Sequence, residues 1–176
     1  MKFFALGRGT QNYTCASAES TPKAEGALAI LYDASPLLFT TPGDLLYTLP
    51  DYAVEFAAPF VPLKAAGHHF FDSTGVPNFD LSSQGLYLKG MTSAQINATA
   101  PQTTSGLPIP ETNPVPWLYL VASDNGVGSR GLNSVYRVET AGGEPPATCS
   151  DVESSFQVQY SALYVFYGPA PVKKDH

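Results

Sequence analysis

Charge is scarce in this sequence. Only 14% of its 176 residues are Asp, Glu, Lys or Arg, against roughly 25% in an average soluble domain. Positive charge is scarcer still: 9 Lys and Arg stand against 15 Asp and Glu, a formal balance of −6 at pH 7. The longest basic run is Lys173-Lys174, near the C-terminus. Without a basic cluster to neutralise phosphates, nucleic acid is not an expected partner. An anionic membrane surface is not expected either, for the same reason. No apolar run reaches the ~20 residues that cross a bilayer, so no membrane span is expected. Cysteine occurs only twice, and nothing shows the Cys/His pairing of a structural zinc site, so no metal and no cofactor are expected.

Long helices are also missing. The 16 prolines and 15 glycines interrupt the chain too often for them. Between these breaks lie short β-rich runs, at Thr10–Cys15, Ala27–Asp33, Ala53–Ala57, His68–Asp72, Gly85–Met91, Trp117–Ala122, Val135–Thr140 and Phe156–Tyr167. One helical turn is expected over Pro42–Tyr47, with Thr41 as its N-cap. The last run is the most regular: Phe156, Val158, Tyr160, Ala162, Tyr164 and Phe166 share a face by alternation, and its second half is apolar on both faces, as in a strand at a sheet centre. These features predict an all-β fold, an antiparallel β-sandwich or closed β-barrel with long loops and at most short helices. One domain over residues 1–167 is expected, with 168–176 as a C-terminal tail and Ala98–Pro116 as a long loop.

Cys15 and Cys149 lie far apart in the chain. They are either two buried thiols or one disulfide, and their polar, turn-flanked contexts favour the disulfide. A bridge implies an oxidising compartment. Two N-glycosylation sequons, at Asn12-Tyr13-Thr14 and Asn97-Ala98-Thr99, agree with export. Met1–Leu6 is too short for a secretion leader and runs straight into a polar motif, so a secreted form would already be trimmed of one.

Several constellations are candidate sites. Gly126-Val127-Gly128-Ser129-Arg130-Gly131 matches the dinucleotide fingerprint, but turn and strand follow it where a helix is required, so it reads as a loop. His68 and His69 are adjacent in a strand and must face opposite ways, so they cannot easily share a metal. Gln11, Tyr13 and Cys15 share one face, which leaves Asn12 on the other, open to a glycan. Arg137 and Glu139 share a face with Val135, so Arg137 is expected to be partly buried, either in a structural ion pair with Glu139 or Asp151 or as an anion or carboxylate clamp, the ion pair being favoured. Trp117, Tyr119, Tyr136, Tyr160 and Tyr164 suit sugar stacking as well as an ordinary core. No serine sits in a nucleophile-elbow context.

Five segments carry a resemblance to a known family. They are Gly9-Thr10-Gln11-Asn12-Tyr13-Thr14-Cys15, Gly67-His68-His69-Phe70, Val115-Pro116-Trp117-Leu118, Val135-Tyr136-Arg137-Val138-Glu139-Thr140-Ala141-Gly142-Gly143-Glu144-Pro145-Pro146-Ala147-Thr148-Cys149, and Val158-Gln159-Tyr160-Ser161-Ala162-Leu163-Tyr164. In order and spacing they resemble an uncharacterised family of secreted fungal and exported bacterial proteins. Fungal members are often labelled malate dehydrogenase, a label this sequence does not support, because it lacks a βαβ pattern. The resemblance singles out Gln11, Tyr13, His69, Trp117, Arg137 and Tyr160, takes His69 rather than His68, and supports pairing of the cysteines.

Low charge, exported character and 10 tyrosines lead to the expectation of a secreted, non-enzymatic binding protein of a cell wall or host surface, with a glycan or other extracellular polymer as ligand. On this reading Gln11, Tyr13, Trp117 and Tyr160 are candidate ligand-binding residues. The alternative is a secreted hydrolase or lyase acting on such a polymer, with His69 and Arg137 as candidate catalytic residues. A surface protein with no small ligand is a third.

Overall fold

When side chains alternate in and out along every strand, a sheet can close on itself with one face filled and the other outside. The computed structural model describes residues 1–55, 63–98, 113–123 and 126–169. In it the chain forms eight antiparallel strands: β1 (Phe3–Thr14), β2 (Lys23–Asp33), β3 (Ala65–Phe71), β4 (Pro77–Leu81), β5 (Leu86–Ile96), β6 (Trp117–Ala122), β7 (Ser134–Gly142) and β8 (Ser155–Tyr167). Each strand pairs with the next and β8 pairs back to β1, so the fold is a closed up-and-down barrel.

The barrel interior follows from the alternation. Phe156 through Phe166 on β8 forms one face, and its Tyr160, Ala162, Tyr164 and Phe166 are fully buried. Large rings there meet small residues on the facing strands. Phe79, Tyr164 and Phe166 pack with Ala5, Ala27, Ala29 and Ala162 in one core. Gly7 is part of that fit, since any Cβ at this position would collide with the Tyr164 ring.

A second core lies outside the barrel. Three short helices, α1 (Leu37–Thr40), α2 (Gly43–Tyr47) and α3 (Leu49–Glu55), follow β2. Leu37, Leu38, Leu46 and Ala53 from this segment pack on the outward-facing Phe4, Leu6, Leu163 and Val165. The second half of β8 is therefore apolar on both faces because helices roof its outer side.

Four local expectations need correction. The run from Ala53 is the end of α3 as far as Glu55, not a strand; Phe56 and Ala57 lie outside the described residues. Its apolar residues serve the outer core, and Pro50 is tolerated in the first helical turn. In α2 the N-cap is Pro42 rather than Thr41, and no side chain caps it. β1 begins at Phe3, seven residues before the expected start, because Gly7 and Gly9 provide close approach rather than a turn. β4 was not expected at all: Pro77 and Asp80 look like turn residues, yet Phe79 and Leu81 alternate inward from a strand that Pro77 opens. Within the expected long loop, residues 99–112 lie outside the described residues, while Val115 is buried and Pro114 bridges to Gly143. Of the expected tail, only Gly168 and Pro169 are described. Among the described residues no helix is long and apolar enough to cross a membrane.

Cys15 and Cys149 form the expected disulfide, with Cα atoms 5.9 Å apart. It ties the β1–β2 connection to the β7–β8 connection at one end of the barrel. The bridge spans 134 positions, so a Cys15→Ser/Cys149→Ser protein should lose about 4–5 kcal/mol of stability, measured by urea unfolding under non-reducing conditions.

Asp51 on α3 and Glu139 on β7 carry carboxyls whose pKa values are both raised, chiefly by burial, with Asp51 adding to the effect on Glu139. That of Asp51 is pushed up to about 6. Below about pH 4 folded and unfolded chains both hold this proton. Between pH 4 and 6 the unfolded chain loses it first, so folding weakens as pH rises and carries the full penalty above pH 6. Asp51→Asn should therefore exceed the parent protein in stability at pH 8, by about 1 kcal/mol or less given its solvent exposure. The two should converge at pH 3.5 in paired urea titrations.

Candidate functional site

Polar side chains from four strands share the barrel interior with the apolar core. Gln11 and Tyr13 are on β1, His69 on β3, Arg137 on β7, and Tyr160 and Tyr164 on β8, and all six are buried. Alternation separates them from their neighbours: His68 lies on the outer surface, in a groove with Arg8, Thr10 and Ile30, while His69 is inside. Asn12 lies between two buried neighbours and is partly exposed, with Thr10 Oγ1 donating to its Oδ1, and Asn97 is exposed.

His69 is 3% exposed. Its ring stacks on Phe79, centroids 4.2 Å apart, and stands 6.0 Å from the Tyr164 ring. Nδ1 lies 2.9 Å from the Asn78 carbonyl oxygen. A carbonyl can only accept, so Nδ1 holds the proton and Nε2 the lone pair. Burial pulls the pKa down to about 4; the Asn78 carbonyl opposes this and the positive charge of Arg137 adds to it. At neutral pH the imidazole is uncharged.

Arg137 is 7% exposed. Its Nη2 donates to the Pro116 carbonyl at 2.8 Å, and its charge acts on His69, Tyr13, Tyr160 and Tyr164 together. Arg137 Nε and Gln11 Nε2 are buried with no hydrogen-bond partner among the described residues. The expected ion pair with Glu139 or Asp151 does not form. The ladder shifts register between Val138 and Ala141, and Glu139 sits there at φ 46°. This irregularity breaks the alternation and turns Glu139 toward Asp51 under α3. Asp151 is exposed in the β7–β8 connection.

Tyrosines complete the interior. Tyr160 Oη and Tyr164 Oη are 3.0 Å apart. Burial raises both pKa values and pushes that of Tyr13 up to about 12, where Glu144 adds to the effect and Arg137 opposes it. Tyr13 donates to the Gly143 carbonyl at 2.7 Å. Gly143 has φ 98°, and a Cβ there would come within 2.8 Å of both Tyr160 and Val115 and 3.2 Å of Gln11. The Gly142-Gly143 pair of the fourth motif, both at positive φ, thus lets the chain press against the polar interior.

Trp117 does not join this group. It lies on the outer face, lining a groove with Ile96, Tyr119 and Tyr136, where the two tyrosine rings stack at 4.5 Å. Asn78 and the Pro116 carbonyl are parts of the site that the sequence does not single out, whereas Tyr164 is among its candidate aromatics. Asn78 lies on the unanticipated β4, and the Pro116 carbonyl carries no side-chain signal. Tyr164 is four residues from Tyr160 on the same alternating face, a signal that was present. The dinucleotide-like glycines fall between β6 and β7, with a strand after them.

With three phenols protonated and one imidazole neutral, Arg137 supplies the positive charge of this cluster. The His69 signals in a proton–nitrogen NMR titration should therefore show an Nδ1–H tautomer and no protonation between pH 5.5 and 8. A pH-dependent Nε2 shift with a midpoint near 6.5 would contradict the described environment.

No curated protein and no solved structure matches the chain. Residues 1–168 match the family described as "Protein of unknown function (DUF3455)", nearly the whole length, and the chain belongs to that family.

Proposed function

We propose that this chain is a secreted, glycosylated binding protein for a glycan or other extracellular polymer, and that its ligand is received by the barrel interior beside Gln11 and Arg137. The observation that carries the reading is the pair of unpartnered donors, Arg137 Nε and Gln11 Nε2, both buried. A buried donor left unmet costs about 1–3 kcal/mol, and two of them in one barrel interior serve no purpose in folding. A polyol ligand meets both needs, since its oxygens accept from Arg137 and Gln11 and its hydroxyls donate to the His69 lone pair. The outer groove of Trp117, Tyr119 and Tyr136 offers aromatic faces to further sugar units. The disulfide suits an oxidising compartment.

A second reading has its own support. His69 carries an uncharged imidazole within the field of Arg137, the pairing that proton abstraction beside an anion-stabilising cation uses. On that reading the chain is a hydrolase or lyase of the same polymers.

Retention on an array of cell-wall and matrix polysaccharides tests the first reading. The protein should be held by at least one class, Arg137→Met should lose about tenfold or more in affinity, and Trp117→Ala should lose less. Absence of retention on every class overturns it. Release of new reducing or unsaturated ends that disappears in His69→Ala would move the assignment to the enzyme.

A further inference from the structure

Arg137 has the charge balance of a site that awaits an anion. The residue is more than nine-tenths buried, and no carboxylate pairs with it among the described residues, whose ion pairs are the surface contacts Lys23–Glu25 and Lys89–Asp72. Burying a cation without a counterion is among the costliest arrangements a fold can contain. The rest of the chain is acidic, at −6 overall, so this cation is not part of a general attraction for anions.

We infer that the ligand group seated beside Arg137 and Gln11 is a carboxylate, so that the glycan bound is an acidic one built on uronic acid units. This rests on the binding reading above and names the ligand class. Three observations narrow the anion. The first is charge: His69 is neutral, the three phenols are protonated, and Glu144 acts on Tyr13 without forming an ion pair with Arg137, so Arg137 is the one cation beside the ligand and a monoanion suits it better than a phosphate dianion. The second is donor geometry. Arg137 donates to Pro116 through Nη2 and also hydrogen-bonds Tyr164, which leaves Nε as its buried donor without a partner. Gln11 borders the same segment, because the Gly143 position that touches its Cγ also touches Val115, the residue before Pro116. Two N–H donors flanking one backbone segment suit the two oxygens of a carboxylate. The third is that a uronate also carries hydroxyls, which give His69 Nε2 a donor that a bare anion lacks.

Calorimetric titration with oligogalacturonate, oligoglucuronate and oligomannuronate, each against its methyl ester and a neutral oligosaccharide, tests this directly, with acetate as the bare anion. At least one acid should bind about ten- to a hundredfold more tightly than its ester, and Arg137→Gln should erase that difference. The Arg137 Nε–H resonance of the parent protein should shift with the acid and not with the ester, a readout that holds even if the variant does not fold. Equal affinity for acid and ester, or an Nε–H resonance that ignores the acid, overturns the carboxylate assignment and leaves glycan binding standing. Binding of acetate without any sugar preference keeps the carboxylate and removes the glycan. No binding by acids, esters, neutral sugars or acetate removes both.

Discussion

The pairing of β1 with β8 runs over twelve positions, from Phe3 opposite Phe166 to Thr14 opposite Ser155, and everything else in the molecule is arranged around it. These are the first and last strands of the sheet. Their ladder turns a meander with two open edges into a barrel with none. It also defines an inside. Until the ends meet, Tyr160, Tyr164 and Arg137 line one face of an open sheet; once they meet, the same residues are enclosed. The backbone bond from Cys15 N–H to the Ser154 carbonyl extends the ladder one step further. The disulfide then holds the adjoining connections at the same end.

An enclosed interior must be filled, and two chemistries share it. Much of it is filled by hydrocarbon and rings, with Phe3, Leu31, Leu81, Leu88 and Phe166 packed in one cluster. The polar filling is mostly satisfied internally: His69 by Asn78, Tyr13 by Gly143, Tyr160 by Tyr164, Thr140 by the Val115 carbonyl. Against that background of satisfied groups, the two unpartnered donors are conspicuous. The low local dielectric that strengthens each satisfied bond also makes an unmet donor expensive. That asymmetry is the physical basis of the ligand position proposed beside Arg137 and Gln11.

The outer wall has its own logic. The helices after β2 cover β1 and β8, the two strands of the closing ladder, and shield Phe4, Leu6 and Leu163 from water. On the far side of β7 the wall is open, and Trp117, Tyr119 and Tyr136 line an aromatic groove there. Pairing of Leu118 with Arg137 and of Tyr119 with Tyr136 makes the division strict: the first pair faces in and the second faces out. Trp117 is thus one residue in sequence from a neighbour of the buried site, yet on the opposite side of the sheet.

Much of this could be read from the chain before any coordinates. Period-two alternation assigned Tyr160 and Tyr164 to one face, put His69 and His68 on opposite faces, and left Asn12 outside, because a pleated strand has no other way to orient successive side chains. Turn-flanked cysteines and the low charge pointed to a bridged all-β protein. Other features depend on partners distant in sequence. The irregularity that swings Glu139 away from Arg137 exists only against the register of β8. The helical state of Ala53 and Val54 depends on a hydrophobic wall to pack on, since seven residues of helix are not stable alone. Whether Arg137 would find a carboxylate, and whether Gln11 would border the same backbone segment, depended on how eight strands stagger around a closed barrel. Local sequence sets which way a side chain points; what it meets there is set by closure.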